Sequence, residues 1–487
     1  MQNQTQINKA KEAEYFMELA RQCRDLPIVN VIGSVIQLYD RGMHWEGLCP
    51  FHADEHLGSF KVTPSKNMWY CFTDNFGGGT IAFESRYYEI GFREAVFHLA
   101  RRMGVITDET YNLYAKKKIS ADIVQNVQRE MEEKKKDTAA HVKADPDVIH
   151  AVYTAVCRVC SLSQAHKKHL LHDRGLTEQD LTDYFTFPTR RFDLAGRVFK
   201  ELGGELAQRW FHKPLKDLTD KEKMRIEHSP AMEKIRSQMI FVPGFYRDTA
   251  RNRVDFTSYK GIGFLVRDDN GKVTGIQIRR DVIKDGESRY VWFSSSFASS
   301  NPALEGGASP GSPGGVIFPG KKTGKAALCV TEGRFKAEAI AKKGNIAVYV
   351  SGVSTWKSVV PMIKRLKGTR KHVYIMFDAD MMGNTAVHAQ LSDISYGMKD
   401  IGLKPVLLLW PKNKGKGFDD LVQGAGSQYA SCMKQIAFPD FERLYQKVLQ
   451  SVLQQYGVTR VRDLPKNKAC SFNTDMQLSV EKAVGVA

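Results

Sequence analysis

Residues 326–350 read AALCVTEGRFKAEAIAKKGNIAVYV. A short apolar run ends in a carboxylate and a glycine, Glu332-Gly333; a helical segment, RFKAEAIAKK, follows, and a second apolar run closes the stretch. Two more such runs come later, VYIMF at 373–377 and VLLLW at 406–410. Runs of this length, spaced for intervening helices, predict a mostly parallel α/β sheet with both faces covered.

The polar residues that end these runs matter most. Open α/β sheets bind their ligands at the C-terminal ends of the strands. Glu332 ends the first run, Asp378 and Asp380 follow the third, and Asp419-Asp420 follow the fourth after a turn rich in glycine and lysine, PKNKGKGF. Alternate residues of an extended segment face the same way, so Asp378 and Asp380 can point at one site. Five carboxylates at one sheet edge repel one another unless cations are bound, and hard oxygen ligands select Mg²⁺ or Mn²⁺. Lys336, one helical turn beyond Glu332, is either a phosphate contact or an i,i+4 partner of that carboxylate.

Upstream of this region lies a Gly/Pro/Ser-rich loop, NPALEGGASPGSPGG at 301–315, which marks a boundary. Before it, KGIGFLVRDDNGKVTGIQIRRD at 260–281 reads as a β-hairpin turning at Asp269-Asn270-Gly271. Cys157 and Cys160 lie near His166, His169 and His172, but the segment reads as helix and the cysteines as core. Residues 106–147 are heavily charged and read as a helical, solvated linker. Downstream, 427–487 holds an amphipathic helix near 441–455 and then a polar tail.

The N-terminal part carries two short clusters, Cys49-Pro-Phe-His52 and Cys71-Phe-Thr-Asp74, each with potential ligands three residues apart. Two such knuckles can build a tetrahedral zinc site. Cys49, His52 and Cys71 are ordinary zinc ligands; the fourth place falls to Asp74, to His56 or to water. Phe60, Lys61, Trp69, Tyr70 and Phe72 alternate aromatic and basic character on the intervening strands, which suits stacking of single-stranded bases beside phosphate contacts. A small ribbon has little else to fill its interior, so at least half of these aromatics pack inward.

The composition agrees with a polyanion partner. Lys and Arg number 71 against 54 Asp and Glu, a net charge of +17 over 487 residues, with 42% hydrophobic and 26% charged residues. That is a soluble, multidomain balance with a long-range attraction for nucleic acid. Eight scattered cysteines are not a secreted disulfide framework. The N-terminal MQNQTQINKAKEAEYF lacks a signal-peptide core, so a soluble protein of a reducing cytoplasm, in a bacterium or in the host of a phage or plasmid, is expected.

The stretch from Cys49 to Val105 closely resembles the zinc ribbon of bacterial and phage primases, with its Ser-Phe pair, its Gly-rich turn after the second knuckle and its helix ending before Met-Gly-Val. VTEG, FDAD and GFDD resemble the TOPRIM domain shared by DnaG-type primases, topoisomerases and some nucleases, and residues 164–189 resemble the segment that opens primase catalytic cores. The resemblance implies a DNA primase of a plasmid, phage or mobile element. It would synthesise short RNA primers on a single-stranded DNA template from ribonucleoside triphosphates, beside a separate helicase. It implies structural zinc on Cys49, His52 and Cys71, catalytic Mg²⁺ or Mn²⁺ on Glu332, Asp378 and Asp380 with Asp419 and Asp420 in support, and Lys260, Arg267, Arg279 and Arg280 gripping template or nucleotide phosphates. The layout it implies is a zinc-binding domain at 1–105, the linker at 106–147, a mixed α+β basic subdomain at 148–320, an α/β TOPRIM domain at 321–426 and a helical C-terminal segment at 427–487. A TOPRIM nuclease and a non-catalytic DNA-binding replication or mobilisation factor are the rival readings.

Overall fold

The computed structural model describes residues 2–42, 44–52, 54, 57–72, 76–115, 143–189, 192–283, 288–320, 326–465 and 468–486. Asp74, His56 and the centre of the charged linker lie outside the described residues. Two compact units form. One draws on the described residues of 1–139, 381–390 and 443–483; the other on those of 140–380, 391–442 and 484–487.

In the first unit a five-stranded antiparallel sheet runs in chain order: β1 (Tyr39–Asp40), β2 (Trp45–Gly47), β3 (Phe60–Thr63), β4 (Met68–Cys71) and β5 (Phe76–Gly78). The helices Thr80–Tyr88 and Phe92–Arg102 follow it. Pleating decides which aromatics go inside. In the β3/β4 register Phe60 faces Cys71 and Val62 faces Trp69, and all four are buried; Lys61 pairs with Tyr70 on the opposite face. Trp69 stacks on Phe60 at 5.3 Å and meets Phe83 edge-on at 5.7 Å. Phe60 and Trp69 are therefore not base platforms, contrary to the sequence reading: each stabilises the ribbon by roughly 1.5–3 kcal/mol of buried surface. Asn67, in the left-handed region at φ 46°, turns β3 into β4; its amide donates to the carbonyls of Arg24 and Leu26, and its oxygen accepts from the Ile28 N–H.

The polar tail expected after the amphipathic helix is instead a second helix, Ala469–Val484. Phe472, Met476, Val480 and Val484, spaced by four, are all buried, and Tyr456 donates its hydroxyl to Asp475 at 2.7 Å. The amphipathic helix itself runs Phe438–Gln455.

In the second unit an antiparallel sheet has the order β11-β10-β9-β6, from β6 (Tyr184–Thr186), β9 (Gly261–Arg267), β10 (Val273–Arg280) and β11 (Tyr290–Trp292). The hairpin β9/β10 closes at Gly271, φ +77°, where the sequence placed it. A small sheet joins β7 (Phe245–Asp248), β8 (Arg253–Phe256) and β12 (Leu304–Glu305). The larger sheet buries both its faces. Leu265, Ile276 and Ile278 enter one core with the helix Pro146–Val159, while Ile262, Phe264 and Val266 enter another with the helix Arg334–Lys342. Cys157 and Cys160 sit in or against the first core, Cys157 Sγ meeting the Thr182 carbonyl.

The last sheet has six strands, in the order β13-β15-β14-β16-β17-β18: β13 (Gly315–Ile317), β14 (Leu328–Glu332), β15 (Ile346–Val350), β16 (His372–Met376), β17 (Lys404–Leu409) and β18 (Lys434–Ala437). The central four are parallel and are those read from the sequence; β13 and β18 are antiparallel edges that the sequence reading missed. Three residues in a Gly/Pro loop and an exposed KQIA carry too little apolar signal to be seen.

A buried cation joins the two larger sheets. Arg334, 5% exposed, donates to Glu338 at 2.9 Å, to Asp183 at 3.2 Å and to the Leu265 carbonyl, and lies over the Tyr184 ring at 4.7 Å. Asp183 also takes a forked pair from Arg267, the shortest leg 2.7 Å. Burial alone would raise the Asp183 carboxyl, but the hydrogen bonds from Arg267 and the charge of Arg334 outweigh it and hold it below its ordinary 3.8. A depressed folded-state value means that this carboxylate stabilises the fold above its unfolded pKa and ceases to do so as pH falls through the folded one. In acid-unfolding curves below about pH 4, Asp183→Asn should therefore show a shallower loss of stability than the parent.

Candidate active site and metal knuckle

The parallel sheet has one switch point. From β14 the chain crosses to β15 on one side, and from β16 it crosses to β17 on the other, so the loops diverge between neighbours β14 and β16. That crevice is where such sheets bind ligands. Glu332 ends β14; Asp378 and Asp380 follow β16; the buried Thr331 hydroxyl, donating to the Met376 carbonyl at 2.7 Å, pins the two strand ends together. Gly333 takes φ +82°, which turns the chain at once from strand to helix and which a side chain would resist. Trp410, fully buried after β17, donates its indole N–H to Gly415 at 2.9 Å and folds the PKNKGKG turn back. The Lys416 carbonyl then accepts from the Ala379 N–H at 2.8 Å, bringing Asp419 and Asp420 to the same edge. A Cβ at Gly417 would come within 2.4 Å of an Asp419 carboxylate oxygen and 2.8 Å of the Lys336 side chain, so a larger residue there would displace groups of the site.

Glu332, Lys336, Asp378, Lys416, Asp419 and Asp420 line one cavity of about 210 Å³. Lys336 Nζ lies 2.6 Å from Asp378 Oδ1; Lys416 Nζ lies 3.0 Å from Asp380 and 3.8 Å from Asp378. Lys336 thus pairs with Asp378 across the sheet edge, a partner that spacing along its own helix could not reveal. Burial raises Glu332, with Asp378 and Asp380 adding to the rise against Lys336. Burial likewise raises Asp378, against Lys336, and Asp419, which Asp420 pushes further. These are acids short of positive charge. Their donor set, carboxylate oxygens only, fits a hard divalent cation.

The second candidate is in the ribbon. Among the described residues, Cys49, His52 and Cys71 are the one group of three or more ligand side chains whose donor atoms lie within 4.8 Å of one another. Cys71 Sγ and His52 Nε2 are 3.3 Å apart, close to the ~3.5 Å that tetrahedral Zn–S and Zn–N bonds imply. Three soft or borderline donors around one point fit zinc. Asp54, which could be mistaken for a fourth ligand, is used to brace the first knuckle, accepting from the Cys49 N–H at 2.8 Å and from Ser59. Metal analysis of the purified chain should return about one zinc, lost on Cys71→Ser.

The basic residues are less uniform than expected. Arg267 is committed to Asp183 and to the Gly271 carbonyl, so it holds the hairpin and is not available to a phosphate. Lys260 is exposed, Arg279 and Arg280 half-buried at the end of β10. Arg279 Nε is buried and has no hydrogen-bond partner among the described residues. Residues that sequence reasoning missed complete the cavity: Arg174, whose guanidinium reaches Asp419 at 3.3 Å, with Gln277, Tyr290 and Lys416. Arg174 closes a single π-helical turn, His169–Asp173, a distortion no residue pattern announces.

Residues 15–115 match the CHC2 zinc finger family, the zinc ribbon of DnaG. DNA primase of Treponema pallidum is 44% identical over 78 residues, 16% of this chain and 13% of that protein. DNA primase of Aquifex aeolicus is 36% identical over 129 residues, 26% of this chain and 26% of that protein. Over this N-terminal region the chain is similar to the DnaG-type primases. The matches span only about a tenth to a quarter of the length of these relatives. Residues 321–429, which hold every carboxylate of the cavity, match a domain of unknown function, DUF3854. The solved zinc-binding and RNA polymerase domains of the Aquifex aeolicus primase align over 96% of this chain and 98% of that one, with 15% identity and a TM-score of 0.38, a superposition too loose to argue from. Among the described residues no helix is long and apolar enough to cross a membrane.

Proposed function

We propose that the chain is a DNA primase, making short RNA primers on single-stranded DNA at a TOPRIM-type site. The observation that carries this is that Glu332, Asp378 and Asp419 line one cavity at the β14/β16 switch point, with Asp380 linked to it through Lys416, in a chain whose first domain is similar to a primase-type ribbon. The 3′-hydroxyl of the growing strand attacks the α-phosphate of a ribonucleoside triphosphate, and pyrophosphate leaves. Glu332, Asp378 and Asp380 would hold Mg²⁺ or Mn²⁺, which stabilises charge on the attacking and leaving oxygens. Lys336, Lys416 and Arg174 supply fixed positive charge around the triphosphate. The ribbon holds the template, and a separate helicase supplies the unwound strand. Single-stranded DNA, the four ribonucleotides and Mg²⁺ or Mn²⁺ should yield short oligonucleotides; nicked DNA without synthesis would instead make the protein a nuclease.

On the ribbon, the outward face of β3 and β4 replaces the buried pair Phe60 and Trp69 as the stacking surface. Phe72 is 51% exposed, stands edge-on to Tyr70 at 5.0 Å and has Lys61 over its ring at 5.7 Å. Phe72→Ala should weaken binding of a single-stranded oligonucleotide by ~1–3 kcal/mol in fluorescence anisotropy, with the thermal midpoint unchanged.

A further inference from the structure

One polar side chain of the cavity makes no hydrogen bond among the described residues. Gln277 lies at the centre of β10, in a sheet whose two faces are both buried, and register places it opposite Phe264, on the face that enters the core with the helix Arg334–Lys342. Strands buried on both faces are near-continuous hydrophobic runs. Gln277 is the exception here, between Ile276 and Ile278. It is 5% exposed, it lines the carboxylate cavity, and among the described residues its amide makes no hydrogen bond. Its amide opens onto the cavity and not into the packed core, so its donor and acceptor are offered to whatever the cavity holds. Tyr290 lines the same cavity, two residues from Trp292, the β11 partner of Gln277, and is paired in register with Arg279.

We infer that Gln277 holds the sugar of the incoming nucleotide and selects ribose over 2′-deoxyribose, an inference that rests on the nucleotide-transfer reading of this site. The ionic groups, Lys336, Lys416 and Arg174 with the carboxylates, claim the phosphates. In a nucleotide the group bonded to the phosphate is the sugar, so a neutral amide in the same small cavity meets hydroxyls before it meets a base. An amide carries a donor and an acceptor side by side, as a vicinal 2′,3′-diol does. A site built to hydrogen-bond a hydroxyl discriminates strongly against the analogue that lacks it, because its own buried group is then left unpaired.

The test is equilibrium binding of ATP, 2′-deoxyATP and inorganic tripolyphosphate to the full chain in Ca²⁺, by calorimetry, with the parent and Gln277→Met, a variant of similar length without the amide. Expected are a preference of the parent for ATP over 2′-deoxyATP of about tenfold or more, loss of that preference in Gln277→Met, and unchanged binding of tripolyphosphate, which also reports that the variant is folded. Equal affinity of the parent for ATP and 2′-deoxyATP, or a variant that weakens both alike, overturns the sugar assignment and leaves the primase reading standing. Failure of the parent to bind any of the three overturns both.

Discussion

On the proposed reading, Asp378→Asn should lower oligonucleotide synthesis by roughly a thousandfold or more, while binding of single-stranded DNA stays within about twofold of the parent. The size follows from position. Asp378 is the acid that faces both Lys336, at 2.6 Å, and Lys416, at 3.8 Å, and it lines the cavity with Glu332, so its loss would remove a proposed cation ligand and a partner of both ammonium groups. Folding should survive, because Glu332 and Asp419 still offset the charge of Lys336. A carboxyl that burial already holds above its ordinary value contributes little to stability. The thermal midpoint is therefore expected unchanged or slightly raised. Synthesis at the parental rate by the folded variant would remove Asp378 from the chemistry.

Arg334→Leu lowers the free energy of unfolding by about 3–5 kcal/mol, read from the urea midpoint. The substitution leaves Asp183 and Glu338 facing each other's neighbourhood without their shared cation, and removes the donor to the Leu265 carbonyl. Arg334→Lys restores little, since one ammonium cannot reproduce the fork. The comparison is Arg253→Leu: Arg253 is 54% exposed and pairs with Asp255 at 3.0 Å, and its loss should cost under about 1 kcal/mol. Equal midpoints for the two variants would mean that the buried network does not hold the sheets together.

Much of this site was legible because it lies where local pattern and position coincide. Strand-ending carboxylates announce themselves, and Glu332, Asp378, Asp419 and Asp420 share one cavity, with Asp380 tied to it through Lys416. The grouping of Cys49, His52 and Cys71 was equally plain, since ligand spacing is a property of the chain itself. What failed to show depends on partners far away in sequence. Phe60 and Trp69 are chemically suited to stacking on bases; only the β3/β4 register turns them inward and leaves Phe72 outside. Arg267 looked like a phosphate grip until Asp183, 84 residues earlier, took its Nε and Nη2 and the Gly271 carbonyl its Nη1. Gln277 is one polar letter inside an apolar strand, and its place in the cavity needs the opposing sheet. The edges β13 and β18 and the final helix were missed for a different reason: they are short, exposed or widely spaced in their apolar residues.

The arginine buried between the two larger sheets bears on how this protein can be dissected. Residues 321–429 recur as a unit of sequence, yet a fragment beginning there would carry Arg334 away from Asp183 and Leu265, and Phe335 away from Tyr184 and Phe264. A heritable module and an autonomously folding one need not share a border. Expressed alone, the carboxylate-bearing segment should be found in inclusion bodies, and co-expression with residues 143–320 should return it to solution.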